Sequence, residues 1–534
     1  MVPINNIKNR VKKKTLVLDV ASIKNLSASF FLNTEKWPVS EKLFWKLANF
    51  LYEKYIDQVK LLKGKDYNIA VIELSFINLL INILHYNYIK NIAKTKKYEL
   101  LYSDSSTSFL QPNWKNIANF YSKPHLSENK LKKKIKQFIK VIYFNKHLDI
   151  LKIISNLFKQ KKNISIGSFD INKKDYINKT NQFFFHVDWK DLINRSATNS
   201  VTEQEYKKYD KYNLIKIVIN SLKRNKDLNF FLKGLNENKI IQASQQRINS
   251  INLLYERLLK SKLPYQILVT QSGNPFHKII SSAFLEKKIK VINFSHGNDL
   301  GIINQKWAQT YLCALTGNYG YETKNICSAF KSSSLKLPLA KKEKQNFFSI
   351  NNNLGLKRSN IYFSKLRTKR IKKVMVMGYP MNSNRYTGDS CCFFHYKLKL
   401  EIHTLRALKQ AGYYTIYKTH PDRLMEVGNI FKKEADECIG KKFEKVWKKA
   451  DALIFTYITT SAFGFALTTP LPILILDNKY TDWQIKRKNL LEQRVELLMS
   501  NYDSKNSNIN SIKIRKSLNA SRKKIASSKI KGLI

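Results

Sequence analysis

The sequence contains little cysteine, and the spacing of its cysteines excludes the common cysteine-based frameworks. Five cysteines occur among 534 residues, and none lies in a CxxC pair or a Cys/His zinc spacing. They are Cys313, Cys327, Cys391, Cys392 and Cys438. The odd number and the spacing argue against a disulfide framework and a structural zinc site, and they fit a reducing compartment. The apolar run near the basic N-terminus breaks at Asp19, so no signal peptide is predicted.

Acidic residues are also scarce, with 39 Asp and Glu against 95 Lys and Arg, a formal net charge of +56. The electrostatic field of so large a positive charge attracts acidic polymers and anionic lipid surfaces. However, lysine far exceeds arginine, the reverse of what bidentate recognition of phosphate or guanine favours. A/T-rich codons account for the abundant lysines nearly as well. A nucleic-acid-binding protein stays open as an alternative, although the lysines are scattered over both halves and no RRM, KH, zinc or helix-turn-helix pattern is present.

The sequence has no long uninterrupted hydrophobic run. Its most membrane-like segment, 67–89, contains Glu73, Asn78, Asn82 and His85. Because hydrocarbon would leave these polar groups unpaired, the segment is predicted to be a long core helix and not a membrane span. We expect a cytoplasmic protein, either soluble or peripherally attached to the inner face of the membrane.

Several catalytic motifs are missing as well. The sequence contains no GxxxxGK[ST] loop, no GxGxxG after a predicted strand, no HExxH, no GxSxG and no Asp-x-Asp pair of the kind that holds a metal on a sugar nucleotide. An enzyme built on this sequence would neutralise phosphate with lysine, histidine and helix termini. Neither a metal nor another cofactor is expected.

The composition itself, 43% hydrophobic and 12% aromatic, is that of a folded protein. Short β-branched runs alternate with helical patterns, which predicts parallel α/β structure. The predicted strands are 15–20, 99–103, 265–270, 290–294, 373–377, 413–417, 452–456 and 472–476. Helices are predicted at 41–63, 67–89, 398–411 and 441–449, and lysine-rich helices within 125–160 and 205–260. We predict a Rossmann-like domain with helical insertions (1–335), a linker (336–370), a second Rossmann-like domain (371–500) and a basic tail that is mobile or a surface helix (501–534).

In two facing Rossmann-like domains, ligands bind at the carboxyl ends of the strands, in the cleft. His296 and Gly297 directly follow the strand 290–294. Histidine has a suitable pKa for acid–base catalysis, and Asp299 could orient it. The alternative is a loop histidine that hydrogen-bonds to backbone.

Two further groups follow strands of the second half. Lys418 and His420 lie at a strand end, where cationic groups and a helix start can bind phosphate without metal. Thr459, Thr460 and Ser461 open a short helix and offer hydroxyl groups to a phosphate. The alternatives are an ordinary strand-to-helix turn for the first group and helix capping for the second.

Polar loops after other strands are predicted to line the cleft. Ordinary turns are the alternative for each of them. The residues concerned are Gly297, Gly378, Tyr379, Arg385, Ser272 and Asn274.

The order of these motifs is more specific than any one of them. In chain order they are His296-Gly297, Gly378-Tyr379-Pro380, Lys418-Thr419-His420-Pro421 and the helix start at 459–461. This order resembles the bacterial GT-B transferases of surface polysaccharide assembly, which have two Rossmann-like domains. The pattern is nearest to the surface-carbohydrate biosynthesis transferases. It is more distantly similar to capsule polysaccharide transferases, CDP-glycerol glycerophosphotransferases and HP-motif sialyltransferases. The segment 37–55 also resembles the N-terminal region of the first group.

The resemblance implies a metal-independent transferase that moves a sugar or polyol-phosphate unit from a nucleotide-activated donor to a surface-polysaccharide or lipid-linked glycan acceptor. By resemblance, His420 contacts the donor phosphate, the hydroxyls at 459–461 add further contacts, and His296 acts on the acceptor side. The sequence departs from the family at 463–465, where Phe, Gly and Phe stand in place of an expected Glu. A non-catalytic relative with the same fold is therefore an alternative.

Overall fold

The structure is a computed structural model, and it describes much of the chain in separate stretches. The described stretches are 15–18, 27–33, 37–102, 110–122, 163–167, 171–180, 182–196, 213–261, 264–270, 274–294, 320–322, 347–348, 361–363, 370–378, 394–420, 430–458, 460–478, 485–501 and 509–525, with single positions at 139, 142, 145, 148, 149, 151, 481 and 483.

The protein has a mixed α/β fold with parallel sheets and many helices. The strands are β1 Thr15–Val17, β2 Glu99–Leu101, β3 Asn163–Ile166, β4 Phe184–His186, β5 Gln266–Thr270, β6 Lys290–Phe294, β7 Gly320–Glu322, β8 Phe347–Phe348, β9 Lys373–Met377, β10 Tyr414–Lys418, β11 Glu437–Ile439, β12 Ala452–Phe455, β13 Ile473–Asp477 and β14 Glu496–Met499. The helices are α1 Ala28–Asn33, α2 Glu41–Lys60, α3 Gly64–Ile72, α4 Leu74–Lys96, α5 Trp114–Ala118, α6 Ile171–Thr180, α7 Trp189–Ser196, α8 Leu214–Arg224, α9 Glu237–Lys260, α10 Pro275–Glu286, α11 Phe394–Gln410, α12 Phe443–Val446, α13 Ser461–Leu467, α14 Ile485–Glu492 and α15 Ser511–Arg522. Short 3-10 helices lie at Asn229–Leu232 and Trp447–Lys449.

The sheet formed by the later part of the chain, which we call the second sheet, has six parallel strands in the order β11-β10-β9-β12-β13-β14. β9, the first of these strands in the sequence, lies in the middle of the sheet. β10 and β11 follow on one side of β9, and β12, β13 and β14 follow on its other side. The strand order therefore reverses between β9 and β12. In open α/β sheets, ligands bind outside the carboxyl ends of the strands at such a reversal.

Both faces of the second sheet are covered, which explains why its strands are continuous apolar runs. Met375 and Leu453 point into one core, shared with α12 and α13. Val376 and Ile454 point into the opposite core, shared with α11 and α15. The sequence prediction of β9 is confirmed at both ends, and those of β10, β12 and β13 are confirmed within one residue.

Helix α15 lies within the segment predicted to be a basic tail. It is helical, one of the two conformations predicted, and it packs on the second sheet. Ile514 and Leu518 are fully buried in the core that contains α11. Arg515 donates from Nη2 to the Ala411 carbonyl at 2.7 Å. The helix therefore covers one face of the sheet while its basic side chains flank that contact.

The sheet formed by the earlier part of the chain, the first sheet, also has six parallel strands, in the order β4-β3-β5-β6-β7-β8. Its strand order reverses between β3 and β5. The predictions of β5 and β6 are confirmed, the latter at both ends. β8 lies within the segment predicted to be a linker, where it pairs with β7. β1 and β2 are strands as predicted, but they pair with each other in a separate two-stranded sheet.

The segment 67–89 was predicted to be one long helix, and the structure corrects this to two helices, α3 and α4, which meet at Glu73. By length and composition, Gly64–Lys96 is apolar enough to cross a membrane, yet 94% of its most apolar window is buried inside the protein. The break at Glu73 directs this carboxylate inward, where it forms an ion pair with Arg247 of α9.

The segment before α2 is joined to α11 by hydrogen bonds. The Tyr396 hydroxyl donates to the carbonyl of Trp37 at 3.1 Å and to that of Val39 at 3.2 Å. Trp37 in turn donates from Nε1 to Nε2 of His85 on α4, at 3.3 Å. The segment 37–39 thus links the helical layer around α4 to the helix that covers the second sheet.

Candidate functional site

The candidate site is the carboxyl edge of the second sheet. Parallel strands bring their carboxyl ends to one edge, so residues that follow different strands meet there. Gly378 follows β9, Lys418 ends β10 and His420 lies just beyond it, Thr456 follows β12, and Thr460 precedes α13. The edge includes the reversal between β9 and β12, and it brings together the part of the predicted phosphate site that the structure describes.

Gly378 is a close-packed position. Its N–H donates to the Lys418 carbonyl at 3.0 Å. A Cβ at this position would lie 2.5 Å from the Tyr417 hydroxyl oxygen and 2.8 Å from Cζ. Gly378 was predicted to line the cleft, and its packing gives an additional reason for glycine here: no side chain fits between β9 and the Tyr417 ring.

We therefore expect Gly378→Ala to lower the free energy of unfolding by about 1–3 kcal/mol, the usual cost of inserting a methyl group into a packed site. Gly378→Ala should cost less in a Tyr417→Phe background than in the natural protein, since Tyr417→Phe removes the nearest atom. Urea unfolding measures both. Gly412→Ala separates packing from backbone strain: no atom lies within 4 Å of a Cβ there, so its loss reports the φ of +79° alone and should not depend on Tyr417→Phe. Unchanged stability in Gly378→Ala would contradict this packing.

Lys418 lies beneath the edge. Lys418 as a whole is 3% exposed, and its Nζ donates to the Thr419 carbonyl at 2.6 Å. Burial lowers the pKa of this lysine, and the carboxylate of Glu444 partly opposes that effect. The other N–H groups of its ammonium have no acceptor among the described residues, so Lys418 retains hydrogen-bonding capacity for an anion.

His420 and the hydroxyl residues have different surroundings. His420 is partly exposed and interacts with its neighbours. Thr460 is the N-cap of α13, and its hydroxyl accepts from the Ala462 N–H at 3.3 Å. This is the capping role weighed as the alternative to phosphate binding. Ser461 begins α13, and Thr459 lies outside the described residues.

The residues that replace the glutamate expected from the resemblance belong to the core. Phe463 is fully buried and meets Phe455 edge-on, with ring centroids 5.1 Å apart. Phe465 is 8% exposed and meets Phe443 edge-on at 5.8 Å. Neither aromatic ring is placed to take over a contact with a ligand.

Two residues of α11 also reach this edge, and sequence reasoning did not identify them. Glu401 is fully buried; it accepts from the Tyr417 hydroxyl at 2.8 Å and from Thr456 Oγ1 at 3.2 Å. Lys397, one turn earlier on the same helical face, donates to the Thr456 carbonyl at 3.1 Å. Burial and the Glu401 charge hold the pKa of Tyr417 well above its ordinary value, so its hydroxyl stays a donor. The sequence feature that could have indicated them is the spacing of Lys397 and Glu401, which lie four residues apart in a helix with one apolar face.

The first sheet also gathers polar groups at its reversal. Lys173, fully buried, donates to the Ile166 carbonyl at 3.1 Å. His277, 1% exposed, has Nδ1 2.8 Å from the Thr270 carbonyl, which fixes the proton on Nδ1. Sequence reasoning missed both side chains because they lie on helices. Asn274, which was predicted to line the cleft, caps α10 by accepting from the Phe276 N–H at 3.0 Å.

The remaining predicted site residues lie outside the described part of the chain. They are His296, Gly297, Asp299, Ser272, Tyr379 and Arg385. Within the described stretches, no group of three or more His, Cys, Asp or Glu side chains is placed to hold a metal ion.

Comparisons with known proteins give no match: a scan against protein-family models, a search of curated proteins and a search of solved structures each find none. Function must therefore be inferred from the residues at the sheet edges. The second sheet is the more informative, since it brings a buried lysine, a histidine and a close-packed glycine to one edge.

Proposed function

We propose that the protein is a metal-independent transferase that binds a nucleotide-activated sugar or polyol phosphate at the carboxyl edge of the second sheet. The observation that carries the proposal is the strand order β11-β10-β9-β12-β13-β14. It is the order of the dinucleotide-binding, doubly wound sheet, whose ligand lies where the order reverses. The proposed architecture is two Rossmann-like domains that face a cleft, as in GT-B transferases.

The chemistry of the edge supports phosphate as the ligand group. Lys418, His420 and Lys397 supply cationic or cation-capable side chains at this edge. Positioned donors of this kind stabilise the negative charge that develops on a leaving nucleotide, a contribution of roughly 3–4 kcal/mol per donor in a site that excludes water. Lys418 is suited to this role because its ammonium is already desolvated.

The acceptor would bind on the side of the first sheet. β6 ends at Phe294, and His296, the proposed base for the acceptor hydroxyl, follows it with Asp299 three residues later. The acceptor class, a surface polysaccharide or lipid-linked glycan, agrees with the net charge of +56, because a basic surface is attracted to the anionic inner leaflet of the membrane.

The test is a thermal-shift titration of the full chain with CMP, CDP, UDP, GDP and their common sugar conjugates at fixed salt. A ligand at 100 times its Kd adds about 2.7 kcal/mol to stability, so the correct nucleotide should raise Tm clearly. We expect the shift to disappear in His420→Ala and to weaken in Lys418→Met. Lys449→Gln is the matched control, because Lys449 lies at the opposite edge, before β12, and is 54% exposed.

Two outcomes would contradict the proposal. A shift that persists in both His420→Ala and Lys418→Met would place the nucleotide elsewhere. No shift with any nucleotide would favour the non-catalytic relative, an alternative to which the core positions of Phe463 and Phe465 lend weight. Binding to arbitrary DNA that falls steeply with salt would instead support the nucleic-acid alternative.

A further inference from the structure

Three helix ends meet at one surface beside the amino edge of the first sheet. They are the start of α3, the end of α9 and the end of α10. Lys65, in the first turn of α3, forms an ion pair with Glu256, one turn before the end of α9. The hydroxyl of Tyr255, also on α9, donates to Oε2 of Glu286, the last residue of α10, at 2.6 Å. These contacts hold the three helix ends side by side.

Six exposed lysines lie on this surface, which we call the basic end: Lys60, Lys63, Lys260, Lys287, Lys288 and Lys290. None of the six forms an ion pair with a residue in the described stretches. Glu256 and Glu286 already have the partners named above, and Asp57 and Asp66, near the turn between α2 and α3, offset only part of the charge. A concentration of cations of this kind attracts a partner that carries many negative charges.

An exposed leucine belongs to the basic end. Leu61 directly follows α2, between Lys60 and Lys63, and is 74% exposed. Gly64, with a left-handed φ of +56°, begins α3 and lets the chain turn after this leucine. The turn therefore presents an aliphatic side chain to solvent with a lysine on each side of it.

An exposed tyrosine lies at the same end. Tyr265 comes directly before β5 and is 63% exposed. It is close to Lys290, because the next residue, Gln266, pairs with Lys290 across β5 and β6. Tyrosine combines an apolar ring with a polar hydroxyl, and it is enriched where membranes meet water.

This combination favours a lipid bilayer over a nucleic acid as the partner. Both present phosphate groups, but only a bilayer offers an apolar phase in which Leu61 would leave water. The cations of the basic end are all lysines, whose compact charge needs no fixed geometry and so suits mobile lipid headgroups. Recognition of bases and phosphates in a nucleic acid relies more on the planar fork of arginine.

We propose that the basic end docks on an anionic phospholipid bilayer. Leu61 enters the boundary between headgroups and acyl chains, the lysines meet the lipid phosphates, and Tyr265 lies at the level of the headgroups. The basic end is at the amino edge of the first sheet, whereas the nucleotide is proposed to bind at the carboxyl edge of the second sheet. Docking therefore does not depend on the transferase proposal.

The test is co-sedimentation of the full chain, at fixed salt, with vesicles of phosphatidylcholine alone and of an equal mixture of phosphatidylcholine and phosphatidylglycerol. We expect clear binding to the mixed vesicles and little to the neutral ones. Each lysine near an anionic bilayer strengthens binding roughly fivefold, so Lys60→Gln/Lys63→Gln and Lys287→Gln/Lys290→Gln should each weaken it roughly twentyfold. Leu61→Ser keeps the charge and should weaken binding about tenfold, because the apolar contact is lost.

Two matched controls separate the basic end from the net charge. Lys94→Gln/Lys96→Gln removes two exposed lysines at the end of α4, and it should weaken binding less than about threefold, since charges more than a Debye length from the bilayer are screened. The last turns of α4 contact Lys233, after the C-terminus of α8, whereas the turn between α2 and α3 lies by the N-terminus of α8. Ile512→Ser removes an aliphatic side chain that is 78% exposed on α15 and should leave binding unchanged.

Three results would overturn the proposal: equal binding to neutral and anionic vesicles, a loss in Lys94→Gln/Lys96→Gln as large as in the variants of the basic end, or unchanged binding in Leu61→Ser. Duplex DNA that displaces the vesicles, with the lysine variants losing more affinity for DNA than for vesicles, would show a nucleic-acid surface and also overturn it. Nucleotide-induced thermal shifts should be the same in all these variants, so docking and the transferase proposal can fail separately.

Discussion

Replacing Glu73 with glutamine is expected to lower the free energy of unfolding by about 3–5 kcal/mol, since it leaves the buried Arg247 guanidinium without its counter-charge. Arg247 donates from Nε to Glu73 Oε1 at 2.5 Å and from Nη2 to Oε2 at 3.2 Å, and the two side chains are 4% and 0% exposed. The guanidinium also lies 4.8 Å from the centroid of the Tyr121 ring. Burial raises the pKa of Glu73, and the pair with Arg247 offsets part of that rise.

Urea unfolding measures this loss, and an exposed ion pair provides the control. Lys46 and Asp227 approach to 2.6 Å, but their side chains are 50% and 69% exposed. Asp227→Asn should therefore change stability by less than about 1 kcal/mol. The double variant Glu73→Gln/Arg247→Met should lose less than the sum of the single changes, because neither charge is then left alone. A loss in Glu73→Gln no larger than in Asp227→Asn would sink the prediction.

Stability is expected to fall on mild acidification because His85 is buried as a neutral ring. The side chain is fully buried, and burial lowers its pKa to about 3. The unfolded chain binds a proton near pH 6.5, and the folded chain does not. The contribution of the neutral His85 ring to stability is therefore complete above about pH 6.5. It decreases by about 1.4 kcal/mol per pH unit as the pH falls toward 3, roughly 4–5 kcal/mol in all.

The local geometry explains why the folded protein resists this proton. His85 Nε2 already accepts from Trp37 Nε1 at 3.3 Å, so the ring's one proton is on Nδ1. Nδ1 is buried without a hydrogen-bond partner, and a second proton would put an unpaired cation among aromatic rings, including Phe44 at 5.4 Å.

The measurement is urea unfolding at several pH values between 7 and 4, for the natural protein and for His85→Phe. All other titrating groups are common to the two proteins, so the difference between them isolates His85. We expect the advantage of the natural protein to shrink steadily with acid. Parallel pH profiles for the two would falsify the assignment.

The sequence was a good guide to the inner strands. β9 and β12 are short apolar runs buried on both faces, a pattern that few other structures produce. β11 and β14 were missed because they are edge strands of three and four residues with partly exposed side chains. β3 was missed because its run, Asn163–Ile166, alternates polar and apolar residues over only four positions.

The candidate site was predictable only where it follows directly from the strands. Once β9 and β10 were located, Gly378 and Lys418 had to lie at their carboxyl ends. Glu401 and Lys397 belong to the edge because α11 packs across it, a tertiary contact that local pattern does not encode. The same holds for Glu73 and Arg247, which are 174 residues apart in the chain. A helix break at Glu73 leaves no trace in composition.

The hydrogen bonds from Tyr396 to the carbonyls of Trp37 and Val39 have a consequence for how the chain can be divided. They join residues 359 and 357 positions apart, and they hold the first turn of α11, the helix that carries Lys397 and Glu401. A fragment that begins at the second sheet would keep every strand of that sheet but lose the segment that seats this helix. Residues 37–39 are therefore a structural part of the nucleotide side that is proposed for the later half of the chain.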